Sequence, residues 1–197
     1  MNRKEWVHIL FDTSGSMDEY WDELIEALND ELETYRNPVA SMGLSDVEVS
    51  VTPFSDTMGE TLTFRSPAEL PAFDGSEWVA DGLTAFYDAM GETLHSLKAV
   101  WEVERQSGPV KFTVLAFTAG GDNASRRFSL PYIRRMIREL EATGDWEFRF
   151  PVDGPDDLEV EGVLTLRRRH KEDGDESAFR RGVMALFFEE VGIYERG

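Results

Sequence analysis

The chain has no cysteine. This removes disulfide scaffolding, thiol nucleophiles, Cys-based zinc sites and iron–sulfur clusters from consideration. Positive charge is scarce: 20 Lys and Arg stand against 39 Asp and Glu, for a formal net charge of −19. Phosphate backbones and anionic membranes are drawn to a positive face, so no nucleic acid and no membrane is expected as the main partner. Histidine is limited to three residues. His8 lies inside an apolar run, His95 in a helical stretch and His170 in a basic run, so none carries a motif that names a catalytic base. Long hydrophobic runs are missing as well. The basic start Met1-Asn2-Arg3-Lys4 leads into an apolar run that stops at Asp12. That run is too short for a signal peptide or a membrane span, and a cytoplasmic location is expected. There is no G-x-x-x-x-G-K-S/T loop for nucleotide phosphates, no internal repeat and no low-complexity linker.

What is present fits one domain over residues 1–197, with 41% hydrophobic residues and five Trp. Residues 5–12 (EWVHILFD) are continuously apolar in the middle, as in a strand buried on both faces. Trp21, Leu24, Ile25, Leu28 and Leu32 recur at helical spacing until Asn37-Pro38 ends the run. Residues 46–55 alternate through Val47, Val49 and Val51, and residues 61–65 (TLTFR) read as an antiparallel partner. After a loop over 66–83, Thr84 opens a helical stretch with Phe86, Met90, Leu94, Leu97, Val100 and Trp101 on one face. Residues 110–118 (VKFTVLAFT) form a further strand. Residues 132–142 read as a helix closed by Gly144, and 146–150 (WEFRF) as a strand. Beyond it, a last strand is expected over 160–166 and a last helix over 176–194. The order β α β β α β α β β α predicts a doubly wound α/β fold. Its central sheet is mostly parallel with an antiparallel edge strand, and helices cover both faces. Ligands of such sheets bind beyond the carboxyl ends of the strands.

The stretch Asp12-Thr13-Ser14-Gly15-Ser16 follows the first strand. Asp12, Ser14 and Ser16 stand at i, i+2 and i+4, and a sharp turn at Gly15 lets all three face one centre. Such a set is hard and oxygen-only, suited to Mg²⁺ or Mn²⁺. Two readings of these five residues stand side by side. One is ion binding; the other is helix capping, in which Ser14 or Ser16 caps a helix that begins near Met17.

The stretch resembles the DxSxS motif of von Willebrand factor A (VWA) domains, which opens their metal-ion-dependent adhesion site (MIDAS). The resemblance continues along the chain. Phe54-Ser55-Asp56 is similar to an F-S-D turn of related bacterial domains. Asp81-Gly82-Leu83-Thr84-Ala85 with Asp88-Ala89 is similar to the G-G-T-x-x-x-D-A loop that supplies the MIDAS threonine. Residues 114–125 (VLAFTAGGDNAS) resemble the strand and loop that read T-D-G-x-D-N. Asp145-Trp146-Glu147-Phe148 resembles a G-W-E-F strand of bacterial and phage VWA proteins, including those near tellurite-resistance genes. The match spans roughly residues 5–150 and leaves 151–197 divergent. It implies a VWA/Rossmann-like fold and a Mg²⁺ or Mn²⁺ site made by Asp12, Ser14, Ser16 and Thr84. It also implies a protein partner whose Asp or Glu carboxylate completes that site, with no catalysis. One position departs: Ala119 replaces the aspartate of T-D-G. The resemblance therefore implies a degenerate MIDAS, with metal binding weakened or lost; losses of supporting ligands cost roughly 10–100-fold in affinity. Asp122, three residues on, is the candidate substitute ligand, although in the family the D-N aspartate is a separate position.

The alternative reading is a metal-dependent hydrolase or phosphatase using Asp12. The phosphatases that place an aspartate nucleophile after a first strand need a second acid two residues later, where this chain has Ser14. The remaining charged features read more plainly. Arg134, Arg135 and Arg138 form a solvated helix face, the run Arg167–Lys171 a solvated strand end, and Asp153–Asp157 an irregular acidic turn.

Overall fold

A computed structural model describes residues 3–36, 46–118 and 121–149. The strand and helix expected after Phe150, the 153–157 turn and the 167–171 run lie outside these residues. So does Ala119.

Strand β1 (Lys4–Asp12) runs through the middle of the sheet. It pairs in parallel with β2 (Asp46–Phe54) on one side and β4 (Val110–Phe117) on the other. Strand β3 (Leu62–Phe64) adds antiparallel to β2, and β5 (Trp146–Arg149) adds parallel to β4. The order is β3-β2-β1-β4-β5. This is the mostly parallel α/β sheet with an antiparallel edge strand read from the sequence.

The unbroken apolar character of β1 follows from its position, because both faces are covered. Val7, Ile9 and Phe11 point to one layer, where helix α1 (Trp21–Arg36) buries Leu24, Ile25, Leu28 and Leu32. Leu10 points to the other layer, where α2 (Phe86–Glu104) and α3 (Leu130–Glu141) bury Phe86, Met90, Leu94, Ile133 and Ile137. His8 is buried on this second face between the hydroxyls of Ser50 (2.7 Å) and Thr52 (3.3 Å). Burial pushes its pKa down to about 4, so it packs as a neutral side chain.

Several boundaries differ from the sequence expectation. The first helix begins as a 3-10 turn over Gly15–Tyr20 before α1 proper. α2 starts at Phe86, two residues past Thr84, because Thr84 and Ala85 are tied to the neighbouring loops by Asn123, Ala124 and Ser55. α3 starts at Leu130, two residues early, because Pro131 fits the first turn, where its missing N–H is no loss. Among the described residues, no helix is long and apolar enough to cross a membrane.

Candidate functional site

The carboxyl end of β1 meets three loops, and backbone hydrogen bonds fix their positions. Thr13 N and Thr13 Oγ1 both donate to Phe54 O, at 2.7 and 3.0 Å, extending the β1–β2 pairing past the strand end. Asp81 N donates to Thr13 O (2.9 Å) and Gly15 N donates to Gly82 O (3.1 Å). These bonds lay the 81–85 loop across the DTSGS turn. Gly82 sits at φ +81°, a region open to glycine and strained for other residues. Ala85 N donates to Ser55 O (2.8 Å), so the F-S-D turn braces the same loop.

This framing brings the predicted hydroxyls together. Thr84 Oγ1 donates to Ser14 Oγ at 2.9 Å, and Ser14 Oγ lies 3.0 Å from Ser16 Oγ. Ser14 and Thr84 are buried, whereas Ser16 is exposed. Ser14 stands at the N-cap of the 3-10 turn, yet its side chain makes no capping bond. The capping reading of Ser14 is thereby corrected: its hydroxyl turns toward Thr84 and Ser16.

Asp12 lies beneath this cluster with no exposed surface. Its Oδ1 accepts Ser14 N–H (2.8 Å) and its Oδ2 accepts the Thr118 hydroxyl (2.6 Å). The strand register explains the second bond: Phe11 pairs with Phe117, so the next residues on the two strands are neighbours. Loss of water raises the Asp12 pKa from its ordinary value, against the bonds from Thr118 and Ser14, which lower it. Thr118 did not figure among the sequence candidates. The signal for it was the threonine that closes the apolar run of β4.

Asp122 is engaged elsewhere. Its carboxylate accepts Tyr87 N–H (2.9 Å), Ser125 N–H (3.3 Å) and the Ser125 hydroxyl. Asn123 Oδ1 accepts Thr84 N–H (2.8 Å), while Asn123 N and Ala124 N both donate to Thr84 O. Ser125 Oγ accepts Asp88 N–H (2.9 Å). The segment 122–125 thus caps the open N–H groups of α2 from a distance and holds Thr84 in place.

The donor set can be tested against a cation. Octahedral Mg²⁺ holds oxygens at about 2.0–2.1 Å, which puts neighbouring ligands roughly 2.8–3.0 Å apart. The Ser14–Thr84 and Ser14–Ser16 separations match two such edges, and the same separations satisfy a chain of hydroxyl hydrogen bonds. No cluster of three or more His, Cys, Asp or Glu forms among the described residues. A cation here would be held mainly by hydroxyls, with Asp12 as the nearby charge.

Solved structures share this architecture. The N-terminal domain of TFIIH p34 matches with a TM-score of 0.57 at 9% identity, over 95% of this chain and 98% of that one. Proximal thread matrix protein 1 of the mussel byssus matches with a TM-score of 0.54 at 15% identity, over 96% of this chain and 45% of its own. The manganese-loaded Plasmodium vivax TRAP protein matches with a TM-score of 0.50 at 16% identity, over 87% of this chain and 66% of its own. The fold is VWA-like. At these identities the likeness is one of fold, and this chain spans less than half of the byssus protein. No family model matches the chain, and no curated protein does.

Proposed function

We propose that this VWA-like domain is a non-catalytic protein-interaction module whose partner docks at the carboxyl end of the sheet. The site is a degenerate MIDAS. Ser14, Ser16 and Thr84 would hold Mg²⁺ or Mn²⁺ over the charge of Asp12, with affinity lowered by Ala119. The bound ion would supply a hard positive centre for an Asp or Glu carboxylate of the partner. The observation that carries this reading is the convergence of the Ser14, Ser16 and Thr84 hydroxyls above a buried carboxylate. The motif style further supports a bacterial or phage domain of the type found near tellurite-resistance genes. Asp12 does not suit the hydrolase alternative: it is fully buried, and each of its oxygens already accepts a hydrogen bond.

Melting curves with Mg²⁺, Mn²⁺ and EDTA test the ion, on this chain and on Ala119→Asp. Ligand at a hundred times its Kd stabilises a fold by about 2.7 kcal/mol. A modest upward shift is expected for this chain, a larger one for Ala119→Asp, and none for Ser14→Ala. No response in either of the first two would end the metal reading. Phosphatase activity that disappears in Asp12→Asn would overturn the non-catalytic assignment.

A further inference from the structure

The hydroxyls of Ser14, Ser16 and Thr84 are bordered by two kinds of side chain that an ion site does not need. The first is apolar. Among the described residues, the exposed large hydrophobic side chains are Val79, Leu83 and Val103, at 79%, 56% and 65%. Two of these bracket Asp81 and Gly82, whose backbone is bonded to Thr13 and Gly15. Leu83 is also the chain neighbour of Thr84. Trp78, next to Val79, is half-buried against Phe11 and Phe73, with ring centroids 5.0 and 5.1 Å away. The backbone that presents Val79 is thereby anchored on the core.

The second kind is acidic. Asp56 and Asp81 are exposed beside Gly82. A Cβ on Gly82 would lie 3.3 Å from Asp56 Oδ1, and Gly82 N–H donates to Asp81 Oδ1 at 2.7 Å. Asp18 and Glu19 are exposed on the 3-10 turn that follows Ser16. None of these four carboxylates pairs with a cation among the described residues. The segments 12–20, 54–61, 73–85 and 121–125 contain no Lys or Arg at all. Arg126 and Arg127 come next in the chain, but their N–H groups are bound to Asp88 of α2, and Arg127 is paired with Glu92.

This border acts on whatever docks. A divalent cation would bring two positive charges against Asp12 and the four exposed acids, so the border would stay negative around it. Exposed charges act over a Debye length of about 8 Å at physiological salt. A segment offering a carboxylate alone is repelled on approach, whereas one that sets its carboxylate among cations is drawn in.

We propose that the partner is a protein segment whose acidic residue is flanked by apolar residues and by Lys or Arg. The apolar residues pack on Val79 and Leu83, and the cations meet Asp18, Glu19, Asp56 and Asp81. This rests on the carboxyl end of the sheet being the docking face, as proposed above, and names what that face selects. A nucleic acid is opposed by the same charge.

The probe is a fluorescein-labelled heptapeptide with a central Asp, a Leu on each side of it, and Lys or Arg at the remaining positions. Its anisotropy is followed on the full chain in Mg²⁺. One control peptide has Glu for every Lys and Arg; a second has Ser for both Leu. The first peptide should bind, each control roughly tenfold more weakly, and raised salt should weaken the first. Leu83→Ser should weaken it roughly tenfold, and the double variant Asp56→Asn with Asp81→Asn roughly threefold. All three positions are exposed and Asn keeps an acceptor oxygen, so melting temperatures should match the parent. No binding of the first peptide overturns the proposal, as does binding indifferent to both controls and both variants. Binding that follows these changes but ignores EDTA and Ser14→Ala upholds the selection and removes the metal from the docking reading. A Mg²⁺ melting shift abolished by Ser14→Ala, together with equal binding of all three peptides, keeps the metal site and removes this proposal.

Discussion

Asp12 and Asp88 both serve the carboxyl end of the sheet, but their carboxylates sit in contrasting surroundings. Asp12 is fully buried and accepts two hydrogen bonds, one from Ser14 N–H and one from the Thr118 hydroxyl. Desolvation wins there, and its pKa is raised. Asp88 is half-buried and accepts three backbone N–H groups. Desolvation pushes its pKa up too, but the three N–H bonds and the Arg127 charge outweigh it, and the net shift is downward. One carboxylate holds charge that the fold opposes, because desolvation outweighs its two hydrogen bonds. The other holds charge that the fold uses, as a structural latch does. A nearby acid in the sequence therefore says little until its donors are counted.

The largest effect should come from removing the latch. Asp88→Ala strips an acceptor from three backbone N–H groups at once, with a loss of about 2–3 kcal/mol and a melting temperature lower by roughly 5–10 °C. A change within 1 °C would show that water replaces the carboxylate without cost.

Gly91→Ala attacks the same region through packing. The added methyl meets the Phe128 ring, and relief requires a shift of the 125–129 segment, costing about 1–2 kcal/mol. In the double variant with Phe128→Ala this cost should vanish, a coupling readable from a double-mutant cycle. Additive losses would mean that Gly91 matters for some other reason.

Asp12→Asn should act in the opposite direction. An amide keeps an oxygen for Ser14 N–H and a donor for the Thr118 hydroxyl while removing a desolvated charge. Stability at neutral pH should rise by about 1 kcal/mol, roughly 2–4 °C, and any response to Mg²⁺ should disappear. A lower melting temperature would assign Asp12 to structure rather than to a site.

The smallest effect, and the sharpest test of the contrast, is in pH dependence. The raised pKa of Asp12 means that its charge burdens the fold above that value, and the burden lifts as pH falls toward the ordinary carboxylate value. The gain from Asp12→Asn should shrink on the acid side. The lowered pKa of Asp88 contributes stability above the ordinary value, lost as pH falls through the folded one. The deficit of Asp88→Asn should therefore also shrink in acid, from the other direction. His8 adds a common loss between its ordinary 6.5 and about 4, which cancels when each variant is compared with the parent at the same pH. Parallel curves for the two variants would erase the distinction.

Much of the fold could be read in the chain because burial leaves a local period. The unbroken apolar run of β1, the alternation of Val47, Val49 and Val51, and the helical spacing of Leu24, Leu28 and Leu32 each report how many faces are covered. The i, i+2, i+4 spacing of Asp12, Ser14 and Ser16 was legible for the same reason: it lies within one turn. Thr84 came only through motif resemblance, since no local pattern ties it to Ser14.

Other features depended on contacts that no short window holds. Thr118 reaches Asp12 because β1 and β4 pair in one register rather than another. Asp122 is spent on Tyr87 and Ser125, so its carboxylate caps a helix it does not precede. Ser14 occupies a capping position without capping; its hydroxyl is engaged by those of Thr84 and Ser16. The sequence by itself determined the layers, the strand order's parallel character and the residue types at the end of β1, since periodicity and side-chain chemistry are properties of the chain. Only the tertiary structure decided which oxygens converge at the end of β1 and which are engaged elsewhere, because hydrogen-bond donors from distant loops compete for each of them.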